Sequence, residues 1–311
     1  VRFRADERVG RIIMEVKRTG IEAKAEAILA TGFALPSTAS ATAREGAGCP
    51  VRKAEQKGER KMHTDDDSSA RISQAGRAMI GILGLATSPV GVGFIGENAD
   101  YPDGAGVLRR HRCCQALMKA RRDQEVLLDA RGVTCPAAAA AFVFKTLPEG
   151  LKSGKGLAGF GIVSDEAIRK RMFEVMPHLN AGTIRAIHLY PIGSARHVPD
   201  VVVVEDEIER LMWIALAYLH ATGGARIASS TAILQATCVD STIISYLSRR
   251  LNLSYGCYGY RDTTDIGPHE TVLGFPGSLL EPITAHLKFL DQKAIPTSRG
   301  NHAYAMLRDR K

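Results

Sequence analysis

Pro199-Asp200-Val201-Val202-Val203-Val204 is the clearest buried strand of the chain, and its pattern occurs earlier as Pro89-Val90-Gly91-Val92-Gly93-Phe94. A short apolar run bounded by turn formers reads as a strand buried on both faces. Behind the first run come Glu125-Val126-Leu127-Leu128-Asp129 and then Val133-Thr134-Cys135. Behind the second come Ala225-Arg226-Ile227-Ala228 and then Ala236-Thr237-Cys238. Each copy closes on glycine-rich sequence, residues 154–161 in one and Gly256-Cys257-Tyr258-Gly259 in the other. The reading is an α/β (or α+β) protein built from a duplicated strand-helix-strand-helix unit in a pseudo-two-fold arrangement. Repeat 1 spans about residues 89–175 and repeat 2 about residues 199–290, with Cys135 and Cys238 in equivalent places.

Helical periodicity fills the intervals. Residues 73–85 carry Ala75, Ala78, Met79, Ile82 and Leu83 at helical spacing ahead of the first strand. Residues 112–122 form a helix bearing Cys114, Leu117 and Met118. Cys135-Pro136 starts another, because proline suits the first helical turn, and the alanines that follow favour helix strongly. Ser164-Asp165-Glu166 caps the helix over residues 168–176. Residues 206–221 are the clearest helix, with Ile208, Leu211, Met212, Ala215, Leu216 and Leu219 expected to form the core-facing stripe. Short strands are expected over residues 157–163, 184–192 and 271–275, and a final helix over residues 279–290.

Residues 1–61 read differently. A helix is expected over residues 11–29, but the small and charged residues that follow bury too little apolar surface to offset chain entropy. A disordered extension is the expectation for residues 1–61, with the duplicated domain over residues 62–311. Met62-His63-Thr64-Asp65-Asp66-Asp67 looks like a natural beginning, so the working protein is expected to start near Met62.

Charge narrows the partners. The chain carries +8 formally, of which residues 1–61 hold +5, leaving an ordinary +3 for the other 250 residues. That distribution argues against nucleic acid, and Arg109-Arg110-His111-Arg112 and Arg121-Arg122 read as solvated helix ends and loops. No apolar run approaches the ~18–20 residues that span a bilayer, so no membrane partner is expected. With no secretory signal, the cytoplasm is the expected location. A homo-oligomer is compatible with the sequence.

Several familiar motifs are missing or misplaced. Gly154-Lys155-Gly156-Leu157-Ala158-Gly159 matches G-x-G-x-x-G by letters, but it follows a helix instead of joining a first strand to one. It reads as a tight turn. His178, His188, His197, His220, His269 and His286 are scattered, without H-E-x-x-H, and there is no G-x-S-x-G elbow.

Six cysteines remain: Cys49, Cys113, Cys114, Cys135, Cys238 and Cys257. There is no C-x-x-C. Cys135 and Cys238 fall at expected strand-to-helix junctions, where helix N–H groups stabilise a thiolate. Cys257 sits in a glycine-rich turn with room for a bulky group, and Cys114 lies on the preceding helix. Buried free cysteines often serve only as small hydrophobes, and that bland reading stands beside the functional one.

These stretches carry a resemblance. Pro89-Val90-Gly91-Val92, Arg112-Cys113-Cys114-Gln115-Ala116, Val133-Thr134-Cys135-Pro136, Pro199-Asp200-Val201-Val202, the Cys238 segment and Gly256-Cys257-Tyr258-Gly259-Tyr260-Arg261 resemble the domain-of-unknown-function 169 family of bacteria and archaea. The resemblance covers about residues 73–308 and implies no reaction.

Function is therefore read from the residues. The leading expectation is an accessory or redox protein with a cysteine-lined metal site. Its ligands would be Cys114, Cys135, Cys238 and Cys257, and its occupant an iron–sulfur cluster, since four thiolates suit one. Gly256, Gly259 and Arg261 would border it, Cys113 would be a packed neighbour, and Cys49 would play no part. A redox or protein partner would follow. The rival is a metal-free enzyme using Cys135 or Cys238 as nucleophile, or Tyr258, Arg261 and Asp262 to hold an anionic substrate. A purely structural or regulatory binding module is the third reading.

Overall fold

The computed structural model describes residues 2–5, 12–15, 66–229 and 235–297. The chain divides into two units, Val1–Arg60 and Lys61–Lys311. In the first, β1 (Arg2–Ala5) pairs antiparallel with β2 (Ile12–Glu15). The helix expected over residues 11–29 is therefore a strand over its Ile12-Ile13 start, where β-branched residues favour an extended chain. The rest of the expected disordered extension, and the expected start near Met62, lie outside the described residues.

The second unit is mixed α/β, built on one eight-stranded sheet. Its strands are β3 (Val90–Ile95), β4 (Gly106–Val107), β5 (Val126–Asp129), β6 (Ala186–Pro191), β7 (Val201–Glu207), β8 (Ala228–Ser229), β9 (Asn252–Ser254) and β10 (Glu270–Pro276). The order across the sheet is β4-β5-β6-β3-β7-β10-β9-β8. Each half runs first strand, fourth, third, second. The first and fourth pair antiparallel, as do the fourth and third, while the third and second pair parallel. The two first strands, β3 and β7, meet antiparallel in the middle.

The halves thus share strand order and direction. Their bounds differ from those expected, because the first half runs through to Pro191 and does not stop near residue 175. Its first two strands are joined by a loop over residues 96–105, where the second half has a helix. The Asn, Asp, Pro and Gly content of that loop cannot sustain helix.

Helices cover both faces. On one face lie α1 (Asp66–Leu83), α6 (Ile208–Ala221) and α9 (Leu280–Asp291), packed over Tyr190, Val202, Val204, Leu273 and Phe275. On the other lie α2 (Cys113–Ala120), α3 (Pro136–Ala141), a π-helix (Ala236–Ile244) that runs on into the short α7 (Ser245–Ser248), and α8 (Tyr258–Thr263), over Val90, Val92, Leu128, Leu189, Val201 and Val203. The short α4 (Glu149–Lys152) and α5 (Glu166–Glu174) lie along the chain beyond α3, and Phe173 of α5 joins this core. Asp165 caps α5, its side chain accepting from the Ile168 amide at 2.9 Å. The alternating pleat of β7 sends Val201 and Val203 to one core and Val202 and Val204 to the other.

Glycine allows the closest layer contacts. A Cβ at Gly91 would lie 2.4 Å from the Tyr190 ring, which accounts for the first glycine of β3. A Cβ at Gly274 would meet the Ser241 carbonyl oxygen at 1.7 Å, so the π-helix lies directly on β10. Ser245 fastens the same contact, its hydroxyl donating to the Gly274 carbonyl at 2.9 Å.

Two expectations are corrected here. Residues 157–163 are not a strand: Lys155–Phe160 is a 3-10 helix bounded by left-handed Gly154 and Gly161. The core face of α6 is Leu211, Ile214, Ala217 and Tyr218, while Ile208, Met212 and Leu216 face outward. The helix is apolar nearly all round, so its periodicity does not select a face.

Candidate functional site

The second face of the sheet gathers the cysteines. Cys113, Cys114, Cys135, Cys238 and Cys257 all line one pocket, together with Arg112, Ala138, Ala236, Thr237, Gly259 and Tyr260. All five are unpaired thiols. Cys113 and Cys114 open α2, where Gln115 closes the first turn by accepting from the Arg112 amide at 3.0 Å. Gln115 also donates to the Thr263 carbonyl at 3.2 Å, tying α2 to α8. Cys135 is the N-cap of α3, as the Cys-Pro junction implies. Cys257 is the N-cap of α8, its sulfur accepting from the Tyr260 amide at 3.3 Å.

Cys238 differs from expectation. It lies in the first turn of the π-helix, two residues inside its start and not at the cap as Cys135 does. Strand order also reassigns the equivalences. Cys135 and Cys257 both follow the third strand of their half and cap the next helix, whereas Cys113, Cys114 and Cys238 all follow the second strand. Cys135 pairs with Cys257 in this scheme, not with Cys238, because the Thr-Cys likeness links positions one strand apart.

The pocket is small. Its free space is about 20 Å³, room for one water-sized body. Thr237 contributes a buried hydroxyl with no hydrogen-bond partner among the described residues. The π-helix over Ala236–Ile244 carries both Thr237 and Cys238 in its first turn.

Burial dominates the thiol electrostatics. The Cys114 thiol is pushed up to about 12, first by burial and then by Cys257. Burial raises Cys113 and Cys238 well above the ordinary thiol value, with neighbouring thiols adding to it. Cys257 is also raised by burial, opposed by backbone N–H groups. These four thiols are protonated at neutral pH unless a cation compensates them.

A buried polar network backs the pocket. The Tyr260 hydroxyl donates to Glu205, whose other oxygen accepts from Arg121 at 3.3 Å. Arg121 also reaches Glu270 at 3.6 Å. Tyr260, Glu205 and Arg121 are all buried. Burial raises Glu205 to about 7, against the pull of Tyr260 and Arg121. None of this was read from the sequence; the only signal was an acid directly after the buried Val201-Val204 run.

The remaining expected site residues divide. Gly259 lines the pocket, but Gly256 and Arg261 do not. Arg261 is spent on the backbone, donating to the carbonyls of Tyr255 at 2.6 Å, Glu270 at 2.8 Å and Gly267 at 3.2 Å. Gly256 has φ +90°, which the turn before Cys257 requires. Tyr258 and Asp262 are exposed and line no part of the cysteine pocket. Cys113, expected to be a packed neighbour, is a pocket residue. Cys49 lies outside the described residues. Among the described residues, no group of three or more His, Cys, Asp or Glu side chains is arranged as a metal shell. None of their helices is long and apolar enough to cross a membrane.

Comparison with known proteins adds the family. An uncharacterized protein of Methanocaldococcus jannaschii is 24% identical over 224 residues, covering 71% of this chain and 95% of that relative. No solved structure matches the chain. The profile of the domain-of-unknown-function 169 family, described as Uncharacterised ArCR, matches residues 78–286. That span contains the whole eight-stranded sheet and all five pocket cysteines. The chain belongs to the domain-of-unknown-function 169 family.

Proposed function

We propose that the cysteine pocket is a soft-metal centre, with Cys114, Cys135, Cys238 and Cys257 as ligands and an iron–sulfur cluster as its occupant, serving an accessory or redox role. The observation that carries the reading is the meeting of five unpaired cysteines, from four separate stretches of chain, in one pocket. Thiolate donors select soft metals and iron–sulfur clusters. The orphaned Thr237 hydroxyl fits a site whose partner is a bound group. Room for one water-sized body requires the thiol rotamers and the two capping turns to open for a cluster. Cytoplasm is the proposed location, since unpaired cysteines suit a reducing compartment.

The nucleophilic reading of Cys238 is weaker. A catalytic thiol needs a lowered pKa and access, whereas Cys238 is buried with its pKa raised. The test is metal content after anaerobic reconstitution with iron and sulfide. The wild-type chain is expected to retain both, and each Ser replacement of Cys114, Cys135, Cys238 or Cys257 to lose at least about tenfold in affinity. A wild-type chain that stays metal-free with all thiols titratable would sink the proposal.

A further inference from the structure

A second cavity lies in the same unit as the thiol pocket and shares no lining residue with it. It opens where β3 begins and β6 ends, between α1, the end of α2 and the 3-10 turn Ile192–Ser194. Its free space is about 690 Å³, against about 20 Å³ around the cysteines. Small-molecule sites measure about 300–1,000 Å³. Most cationic charge on its walls is already matched. Arg121 spends both terminal nitrogens on Glu205 and Glu270, and Arg122 pairs with Asp265. Arg77 of α1 is the exception. Its Nη1 donates to the Ser73 hydroxyl and to the Gly193 carbonyl, both at 2.6 Å. These bonds hold the guanidinium in place without neutralising it. Among the described residues, no carboxylate pairs with Arg77, and its Nε and Nη2 have no acceptor.

Nε and Nη2 form the side-on edge of a guanidinium, the fork that meets both oxygens of a carboxylate or phosphate. We propose that this cavity binds a small organic acid, with Arg77 as the cation that holds its carboxylate. Charge decides between carboxylate and phosphate. Arg77 is one unmatched cation, and Asp123 lines the same cavity with no ion pair among the described residues. A carboxylate carries the single charge that Arg77 matches. A phosphate monoester carries about −1.5 to −2 at neutral pH, and the excess would meet Asp123. Arg121 lines the cavity as well, and its Nε–H is buried without an acceptor among the described residues, the kind of orphan that a bound oxygen satisfies. Ile80, Leu85 and Pro191 supply an apolar wall for the body of the acid.

The test is titration calorimetry on the full chain with benzoate, a planar monocarboxylate with an apolar body. The wild type is expected to bind it with a Kd of about 1 mM or tighter. Benzamide, its neutral counterpart, and phenyl phosphate, its dianionic one, are expected to bind at least about tenfold more weakly. Arg77→Gln removes the charge and is expected to weaken benzoate at least about tenfold while the protein still melts cooperatively. Arg77→Lys keeps the charge without the fork, and its affinity is expected to fall between the two. Arg71→Gln, on the same helix but outside the cavity, is expected to bind as the wild type does. No benzoate binding at ~10 mM, benzamide binding as tightly as benzoate, or undiminished binding by Arg77→Gln would each overturn the proposal. Phenyl phosphate binding more tightly than benzoate would overturn the choice of a carboxylate.

Discussion

The Tyr260 hydroxyl donates to the Glu205 carboxyl group, and neither residue reaches solvent. The wall of the thiol pocket is thus joined to an acid that burial has raised to about 7. Between the unfolded value near 4.5 and about 7, the folded chain holds a proton that the unfolded chain has lost. Folding stability from this group therefore falls as pH rises through that window and is flat above it, by up to about 3 kcal/mol. Glu205→Gln keeps an oxygen for Tyr260 and removes the titration. Urea melts from pH 4.5 to 8 are expected to show the wild-type-minus-variant difference changing with pH; a constant difference would refute the assignment.

Arg121 is the cation that makes Glu205 tolerable, at 3.3 Å, with side chains 6% and 0% exposed. Removing one partner of a buried pair leaves the other charge uncompensated. Arg121→Met is expected to cost about 3 kcal/mol or more at pH 8. The cost is expected to shrink at pH 5, where Glu205 is protonated in both forms. An equal loss at both pH values would show that packing, not charge, is what Arg121 supplies.

His188 works in the opposite direction. It is buried beneath Tyr190 and His197, and burial lowers it to about 4, with His197 and Arg196 adding to the shift. The neutral ring bonds Glu125 at 2.9 Å, and Arg196 offsets that carboxylate from 3.7 Å. A depressed histidine favours folding above its unfolded pKa near 6.5, and that stability is lost as pH falls toward 4. His188→Gln is expected to flatten the acid limb of the stability curve below pH 6.5. An acid limb that keeps the wild-type slope would rule His188 out.

Gly274 has no room for a side chain. Its missing Cβ would overlap the Ser241 backbone, which cannot yield as a side-chain tip would. Gly274→Ala is expected to lower stability by about 3 kcal/mol, at the upper end for overpacking, and to displace the π-helix that carries Cys238. Loss of stability with unchanged thiol reactivity at Cys238 would mean that the π-helix does not move.

Strands and helices were largely legible because the apolar runs are short and sharply bounded, as Val201–Glu207 and Glu270–Pro276 are. The helix start at Cys135-Pro136 was legible, whereas the glycine-rich turn read at Cys257 is in fact the cap of α8. Strand order was not legible. Gly106–Val107 is a two-residue strand in a stretch that reads as loop, and without it the run ending at Ala228 matches Val126–Asp129, so that Cys135 and Cys238 look equivalent. The outer face of α6 was misread because Ile208, Met212 and Leu216 look like core until the sheet shows which side it occupies. The Glu205 network was invisible because an isolated acid after a strand ordinarily faces water.

The thiol pocket as a metal centre is tested most directly by metal-edge X-ray absorption on the anaerobically reconstituted chain. The expected result is a first shell of sulfur alone at about 2.3 Å, the usual metal–thiolate distance, lost when Cys114, Cys135, Cys238 and Cys257 are replaced by Ser. A first shell of nitrogen and oxygen, or one unchanged by those replacements, would contradict it.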